Sequence, residues 1–404
     1  MENNENIEEH QEYISGPYVA LINGISQQRE PNKKLKNILI ASLVTITLVL
    51  IITITIYLLN NRNEKIDNIN PGNQIDSDNE EYIKLFENFK KIYNKKYASK
   101  EEEMERFEIF KQNLNYIRIT NKQGFSYELE MNEFGDLKKE EFINRYTGYK
   151  KVFKFDEKNE QFRNRLLTTE SNSSENEMFN FPKSVNWLEA GCVNPVRNQK
   201  NCGSCWAFSA IAALEGAMCV QLGKKLPSLS EQQLVDCTRG NGNNGCGGGT
   251  MGMAFQYAID NKYLCTSAEY PYKAGEAECS VFQCKNMIEV PIYSYKYVLP
   301  RTPNTLKRAL AEYGPISVAI QADQTPFQFY KRGVFDAPCG TKINHGVVLV
   351  GYDFDYNTNK EYWLVRNSWG EGWGESGYIK LALHSGKKGT CGILIEPVYP
   401  ILKS

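Results

Sequence analysis

The sequence predicts an α+β fold in which a helical half and a strand-rich half enclose a cleft, preceded by a helix-rich segment and one transmembrane helix. Three observations lead to it. All eleven cysteines lie between Cys192 and Cys391, so the chain joins regions of different chemistry. Residues Ile38 to Leu59 run for 22 positions without a charge. From Phe181 onward Trp, Gly, Pro and Cys appear among short apolar runs, whereas the stretch before is charged and periodic.

In chain order, the uncharged run comes first. As a helix rising ~1.5 Å per residue it covers a hydrocarbon core of about 30 Å. A cleaved signal peptide is the rival reading, but its apolar core would be roughly 7 to 15 residues long, and no small-residue cleavage site follows Leu59. Arg29, Lys33, Lys34 and Lys36 precede the run, while Arg62 and Lys65 follow it among Glu64 and Asp67. That asymmetry keeps the N-terminus cytosolic. It makes 1–37 a cytosolic tail, 38–59 a signal anchor in the membrane, and the rest lumenal, as in a type II membrane precursor of the secretory pathway.

Disulfides persist in such a lumen, and eleven cysteines there read as five disulfides and one free thiol. Zinc is disfavoured, because only Cys202 and Cys205 form a C-x-x-C pair and the chain has three histidines. No metal and no cofactor are expected. A net charge of -1, from 47 basic and 48 acidic residues, excludes a nucleic-acid partner as the default reading.

A polar linker (60–80) leads to a charged, helix-rich stretch. Phe86, Phe89, Tyr93 and Tyr97, then Phe107, Phe110, Leu114 and Ile117, are spaced by threes and fours, which lays an apolar stripe on one helical face. A second polar segment (166–178) has the composition of an exposed, cleavable linker and carries the glycosylation sequon at Asn172. Beyond it, a helix is expected from Ser204 to about Val220, since no breaker interrupts SCWAFSAIAALE before Gly216. PISVAI, HGVVLVGY and EYWLVRNSW are short, β-branched and aromatic, and read as strands.

Chemistry concentrates at the start of that helix. A helix N-terminus favours negative charge, so a thiol at Cys205 would ionise below its ordinary range. Cys202 and Cys205 then pose a choice between nucleophile and redox dithiol. The redox reading predicts a βαβ context with few other disulfides, and here the pair sits in a cysteine-dense segment. A cysteine nucleophile needs an imidazole to accept its proton and later protonate a leaving amine. His10 is cytosolic in this topology, which leaves His345 in INHGVVLVGY and His384 in a polar turn. Asn367 in VRNSWGEGWGESGY could fix the imidazole tautomer, with Trp369 as a shield; a turn asparagine beside core tryptophans is the plain alternative. A third possibility is a catalytically silent binding protein, whose mark would be loss of one of these residues.

QKNCGSCWAFS, NHGVVLVGY and NSWGEGWGESGY, in this order and at these separations, resemble the papain family of cysteine proteases on its cathepsin L side. The match runs from about Glu81 to the C-terminus. It implies a papain-like two-lobed fold, with a helical lobe and a β-barrel-like lobe, in 179–404. It also implies Cys205 as nucleophile, His345 as acid/base, Asn367 as its orienter, and Gln199 with the Cys205 backbone N–H as oxyanion hole. Glu102, Arg106, Phe110, Asn113, Ile117 and Asn121 are similar to the family's spaced propeptide motif, and their steps keep all six on one face. Asn132, Phe134 and Asp136 resemble its second motif, with Glu130 where glycine or alanine is common. The resemblance makes 81–165 an inhibitory propeptide that lies backwards through the cleft and is removed at low pH, with the product starting near Phe181.

The same resemblance pairs Cys202 with Cys246, Cys237 with Cys279 and Cys339 with Cys391. Cys265 with Cys284 resembles a bridge of apicomplexan members, and Cys192 with Cys219 completes the set. Only Cys205 is left over, which would commit Cys202 structurally and remove the redox reading. For substrate binding the resemblance implies Gly203, Gly248, Gly249, Met251, Ala319, Ile343, Asn344, Trp369 and Trp373, with Glu396 at the base of the pocket for the residue two before the scissile bond. An apolar wall suits Leu or Phe, and a carboxylate floor suits Arg. Peptide and protein substrates, the chain's own propeptide and the membrane are the expected partners, with a monomeric mature enzyme in a lysosome-like or vacuolar lumen, or secreted.

Overall fold

The computed structural model describes residues 71–150, 181–299, 301–383 and 386–403. The expected cytosolic tail, signal anchor, second linker, Asn172 and His384 lie outside the described residues. The chain divides into two compact units, Met1–Glu81 and Tyr82–Ser404.

Helix α1 (Pro71–Ile92) takes up the end of the expected polar linker; proline suits a first helical turn, where its missing N–H has no partner to lose. Helix α2 (Lys100–Asn121) begins at Ser99, whose side chain accepts from the Glu102 N–H, while Glu101, Glu102 and Glu103 face the positive end of the helix dipole. Phe86, Phe89 and Phe110 close a small core between the two helices. The apolar stripe is not one helical face throughout. Helix α1 stops at Ile92, the backbone turns through a left-handed Asn94, and Tyr97 comes back to stack on Phe86 at 6.0 Å.

Three of the six spaced residues of α2, Arg106, Asn113 and Asn121, hydrogen-bond to the segment that follows. Arg106 donates to the Glu141 carboxylate and, at 3.1 Å, to the Asp136 carbonyl. Asn113 Nδ2 donates to the Gly135 carbonyl at 2.9 Å. Asn121 exchanges bonds of 2.8 and 2.9 Å with the Leu129 backbone. Asp136 is buried and accepts from Lys95 at 2.7 Å and from the Tyr97 hydroxyl at 2.9 Å. These bonds set strand β1 (Tyr127–Leu129) and helix α3 (Lys139–Tyr146).

The strands that follow are β2 (Val185–Asn186), β3 (Tyr263–Cys265), β4 (Met287–Glu289), β5 (Ile292–Tyr297), β6 (Ile316–Ile320), β7 (Tyr330–Phe335), β8 (His345–Asp355), β9 (Lys360–Arg366), β10 (Tyr378–Ala382) and β11 (Val398–Leu402). One large sheet runs β1-β7-β10-β9-β8-β6-β11-β5, with β2 paired to β8; β3 and β4 form a separate two-stranded antiparallel sheet. Only the β7–β10 pairing of the large sheet is parallel.

Helix α4 (Cys205–Leu222) stands against this sheet, with α5 (Glu231–Cys237) and α6 (Met251–Asn261) around it. It is apolar on nearly every side and ends at a left-handed Gly223. Among the described residues it is the one helix long and apolar enough to cross a membrane, yet 78% of it is buried within the protein, as a core helix requires. Cys192–Cys219, Cys202–Cys246, Cys237–Cys279 and Cys265–Cys284 brace the helical half, and Cys339–Cys391 the sheet half.

Arg106→Ala leaves the Glu141 carboxylate and the Asp136 carbonyl without their shared donor. It should destabilise the segment around α2 by about 1–3 kcal/mol. The test is a thermal melt followed by protease sensitivity of 82–150; an unchanged onset of unfolding would remove Arg106 from this role.

Candidate active site

Cys205 opens α4, and His345 opens β8 on the facing half. Two bonds join these elements: Ser209 Oγ in α4 donates to the Val347 carbonyl at 2.7 Å, and Ser317 Oγ in β6 donates to the Ser209 carbonyl at 3.0 Å. The helix start is therefore fixed against the strand start. Cys205 is the free cysteine among the described residues and is fully buried. The N–H of Gly346, next to His345, donates to its Sγ at 3.3 Å.

Asn367 follows β9 directly, and the β8–β9 pairing that aligns Val348 with Arg366 brings it beside His345. His345 Nε2 lies 2.8 Å from Asn367 Oδ1, which also accepts from the Ser368 N–H at 2.7 Å. An amide oxygen only accepts, so Nε2 carries the proton and Nδ1 is left as a bare acceptor. Nδ1 is buried with no protein partner. Trp369 stacks on the imidazole at 4.7 Å and keeps water from the Asn367 bond. Gln199 is fixed at both ends of its amide: Nε2 donates to the Cys202 carbonyl at 2.9 Å, and Oε1 accepts from Ser368 Oγ at 2.7 Å.

The cleft is filled by the chain's own residues 146–150. Tyr146 O accepts from the Trp369 indole at 3.0 Å, and its ring packs with Phe134 and Phe142 edge-on to Trp369. The Gly148 and Tyr149 N–H groups donate to the Asn344 carbonyl at 3.1 and 2.9 Å. Gly249 N–H donates to Gly148 O at 2.9 Å and Lys150 N–H to Gly249 O at 3.1 Å, a parallel bridge. Gly148 is obligatory there, since a Cβ on it would sit 1.9 Å from the Gly203 carbonyl oxygen.

The side chain of Tyr149 joins the buried apolar cluster that contains Met251 and Ala319 and has Ile343 packed against it, and its hydroxyl donates to the Glu396 carboxylate at the end of this apolar recess. Gly248 lies in the same approach, with Gly148 O within 2.6 Å of where its Cβ would be. Trp373 packs edge-on to Trp369 at 5.2 Å, one ring further from His345. Sequence reasoning did not single out Gly148, Tyr149, Gly346 or Ser368. Ser368 was detectable as Asn367's neighbour, but nothing in the residue types of Thr147-Gly148-Tyr149-Lys150 marks them as the occupants of a cleft.

Burial decides the protonation of both reactive groups. It pushes the Cys205 thiol up to about 12, against smaller opposing effects of the Gly346, Trp206 and Gly148 backbone N–H groups. It pushes His345 down to about 4, against the Asn367 bond. Each group prefers its neutral form because water cannot reach it.

The family model of the papain family cysteine proteases matches residues 181–401, and that of the cathepsin propeptide inhibitor domain matches 86–142. A probable cysteine protease RD21B of Arabidopsis thaliana is 45% identical over 75% of this chain, which spans 62% of that relative's length. Procathepsin L of Mus musculus is 41% identical over 78% of this chain and 90% of its own. Among solved structures, a recombinant stem bromelain precursor superposes with a TM-score of 0.68 and 39% identity, covering 80% of this chain and 99% of its own.

At pH 7 a thiol shifted to about 12 is ionised in roughly one molecule in 10⁵. Iodoacetamide should therefore label Cys205 in the intact chain at least ~100-fold more slowly than after removal of 82–150. Mass spectrometry of the labelled peptide measures this, and equal rates would refute the shielding.

Proposed function

The chain belongs to the papain family of cysteine proteases, and from that premise we propose that it hydrolyses peptide bonds through Cys205 and His345 once the residues over the cleft have been removed. It is a cysteine endopeptidase made as a zymogen with an inhibitory propeptide. The observation that supports the catalytic reading best is the meeting, in one buried cleft, of the free thiol at a helix start with an imidazole held at 2.8 Å by Asn367.

When residues 146–150 leave, water returns and the two neutral forms lose their advantage. The Sγ proton passes to the bare Nδ1 of His345, and the helix N-terminus stabilises the thiolate. The thiolate attacks the carbonyl carbon, and the resulting oxyanion is met by the Gln199 amide and the Cys205 N–H. A donor of this kind is worth about 10²–10³ in rate. His345 gives its proton to the departing amine, then takes one from the water that hydrolyses the thioester. Asn367 keeps Nε2–H pointed away throughout, so that Nδ1 alone exchanges protons with the reaction.

Tyr149 supports a side-chain preference as well. An apolar stem and a donor tip fill the recess that ends at Glu396, so substrates with Leu or Phe two residues before the scissile bond should fit, and Arg should add a charge-assisted bond to that floor. The remaining proposals rest on sequence features. The uncharged run at 38–59 makes the precursor a type II membrane protein with its protease in a secretory, lysosome-like or vacuolar lumen; the sequon makes Asn172 a glycosylation site; the Cys265–Cys284 bridge supports a relationship to apicomplexan members; and acid triggers processing near Phe181.

Purified, processed Cys205→Ala should cleave no fluorogenic peptide; residual turnover above ~0.1% of the unsubstituted enzyme would overturn the mechanism. Glu396→Ala should lower kcat/KM for peptides with Arg at the second position about 10-fold or more while sparing those with Leu. An unchanged Arg-to-Leu ratio would take Glu396 out of specificity.

A further inference from the structure

We propose that the edge of β7, which β1 covers in the zymogen, becomes in the processed enzyme a docking edge for an extended acidic segment of the protein substrate, on its leaving-group side. The proposal rests on the peptidase reading. Strand β7 is paired on its other side with β10, and β1 is the last strand of the sheet. Removing the propeptide therefore leaves β7 as an edge whose backbone groups have lost their partners.

What fits that edge is written in what now occupies it. Tyr127 stands opposite Gly333, Glu128 opposite Arg332 and Leu129 opposite Tyr330. The ladder continues at both ends, Val334 N–H donating to Ser126 O at 2.7 Å and Glu130 N–H to Phe329 O at 2.9 Å. Tyr127 and Leu129 point into the core, while the Glu128 and Glu130 side chains stay 53% and 59% exposed. Arg332 holds both oxygens of Glu128, at 2.9 and 3.0 Å, and Lys331 meets Glu130 at 2.6 Å. The template is thus an extended run alternating apolar and acidic residues. Gly333, at φ +88°, has no side chain in the way: a Cβ there would lie 2.4 Å from the Ser126 carbonyl.

The position of the edge connects it to catalysis. Tyr330 packs on Trp373, Trp373 on Trp369, and Trp369 on His345. The docking edge therefore lies on the imidazole side of the cleft, away from the recess that ends at Glu396. Backbone pairing and the two apolar seats supply affinity, as in strand addition to a sheet edge, and the two cations select acidic segments. Basic residues on a bare edge also discourage edge-to-edge aggregation, and that role alone would make them indifferent to the sequence of a bound peptide.

The experiment uses processed enzyme and two fluorogenic peptides that share a cleavage site. One carries, after a flexible spacer, the sequence of residues 125–131; the other carries the same tail with its two glutamates changed to lysine. The acidic tail should lower KM 5- to 10-fold relative to the untailed peptide, and the lysine tail should not. A second enzyme is prepared from a precursor with Lys331→Glu, Arg332→Glu, Glu128→Lys and Glu130→Lys, in which the pairs are kept with opposite sign during folding. It should prefer the lysine tail and cleave the untailed peptide at the unsubstituted rate. Equal KM for all three peptides in both enzymes, with normal turnover of the untailed one, overturns the docking edge. The peptidase reading is tested separately by turnover of the untailed peptide. Binding of the labelled tails to enzyme alkylated at Cys205 decides the edge independently: preference for the acidic tail supports it, and no preference overturns it.

Discussion

The approach of Gly148 to Gly203 governs the zymogen. No other residue fits at 148, because a single added carbon would overlap the Gly203 carbonyl. With it in place, the backbone on either side reaches Asn344 and Gly249, Tyr149 fills the recess before Glu396, and Tyr146 caps the tryptophan beside His345. Water is excluded from both reactive groups as a result. The inhibition is then electrostatic as well as steric, since burial stabilises the uncharged thiol and uncharged imidazole over their charged forms.

Geometry in the cleft is inherited from the two halves rather than built by local loops. Cys205 is placed by a helix start, His345 by a strand start and Asn367 by a strand end. The β8–β9 register fixes the last two against each other even though it slips by one residue between Leu349 and Gly351. The serine bonds between α4, β6 and β8 fix the first against them. A change in sheet register or helix depth would move the thiol relative to the imidazole, and rates depend steeply on displacements of that size.

The sequence disclosed faces and counts better than partners. Steps of three and four put Arg106, Phe110 and Asn113 on one side of α2, but nothing local says that Arg106 meets Glu141 or that Asn113 meets Gly135. The same periodicity misled at Tyr97, where a left-handed Asn94 ends the helix and tertiary packing returns the ring to Phe86. Cysteine parity left one thiol over, and ten of the eleven are paired in the fold. Glu396 is one of 48 acidic residues, and only the tyrosine seated before it distinguishes it from a solvated surface acid.

The catalytic pair gives the covered state no pH dependence of its own. Taken alone, His345 at about 4 would favour opening as pH falls below the ordinary imidazole range near ~6.5. Its partner cancels that: the covered pair holds one proton on sulfur, the open pair one on nitrogen, and equal proton numbers give no pH slope. Glu141 is held down to about 2, foremost by Arg106, so what it contributes is full above its ordinary range near 4.5 and is lost progressively as pH falls from there toward about 2. Glu133 is pushed up, foremost by burial and against the Lys95 charge and its Asn198 bond, so protonating it favours the covered state. Of these two carboxylates only Glu141 loosens the propeptide on protonation, by giving up the Arg106 bond that holds α2 to α3.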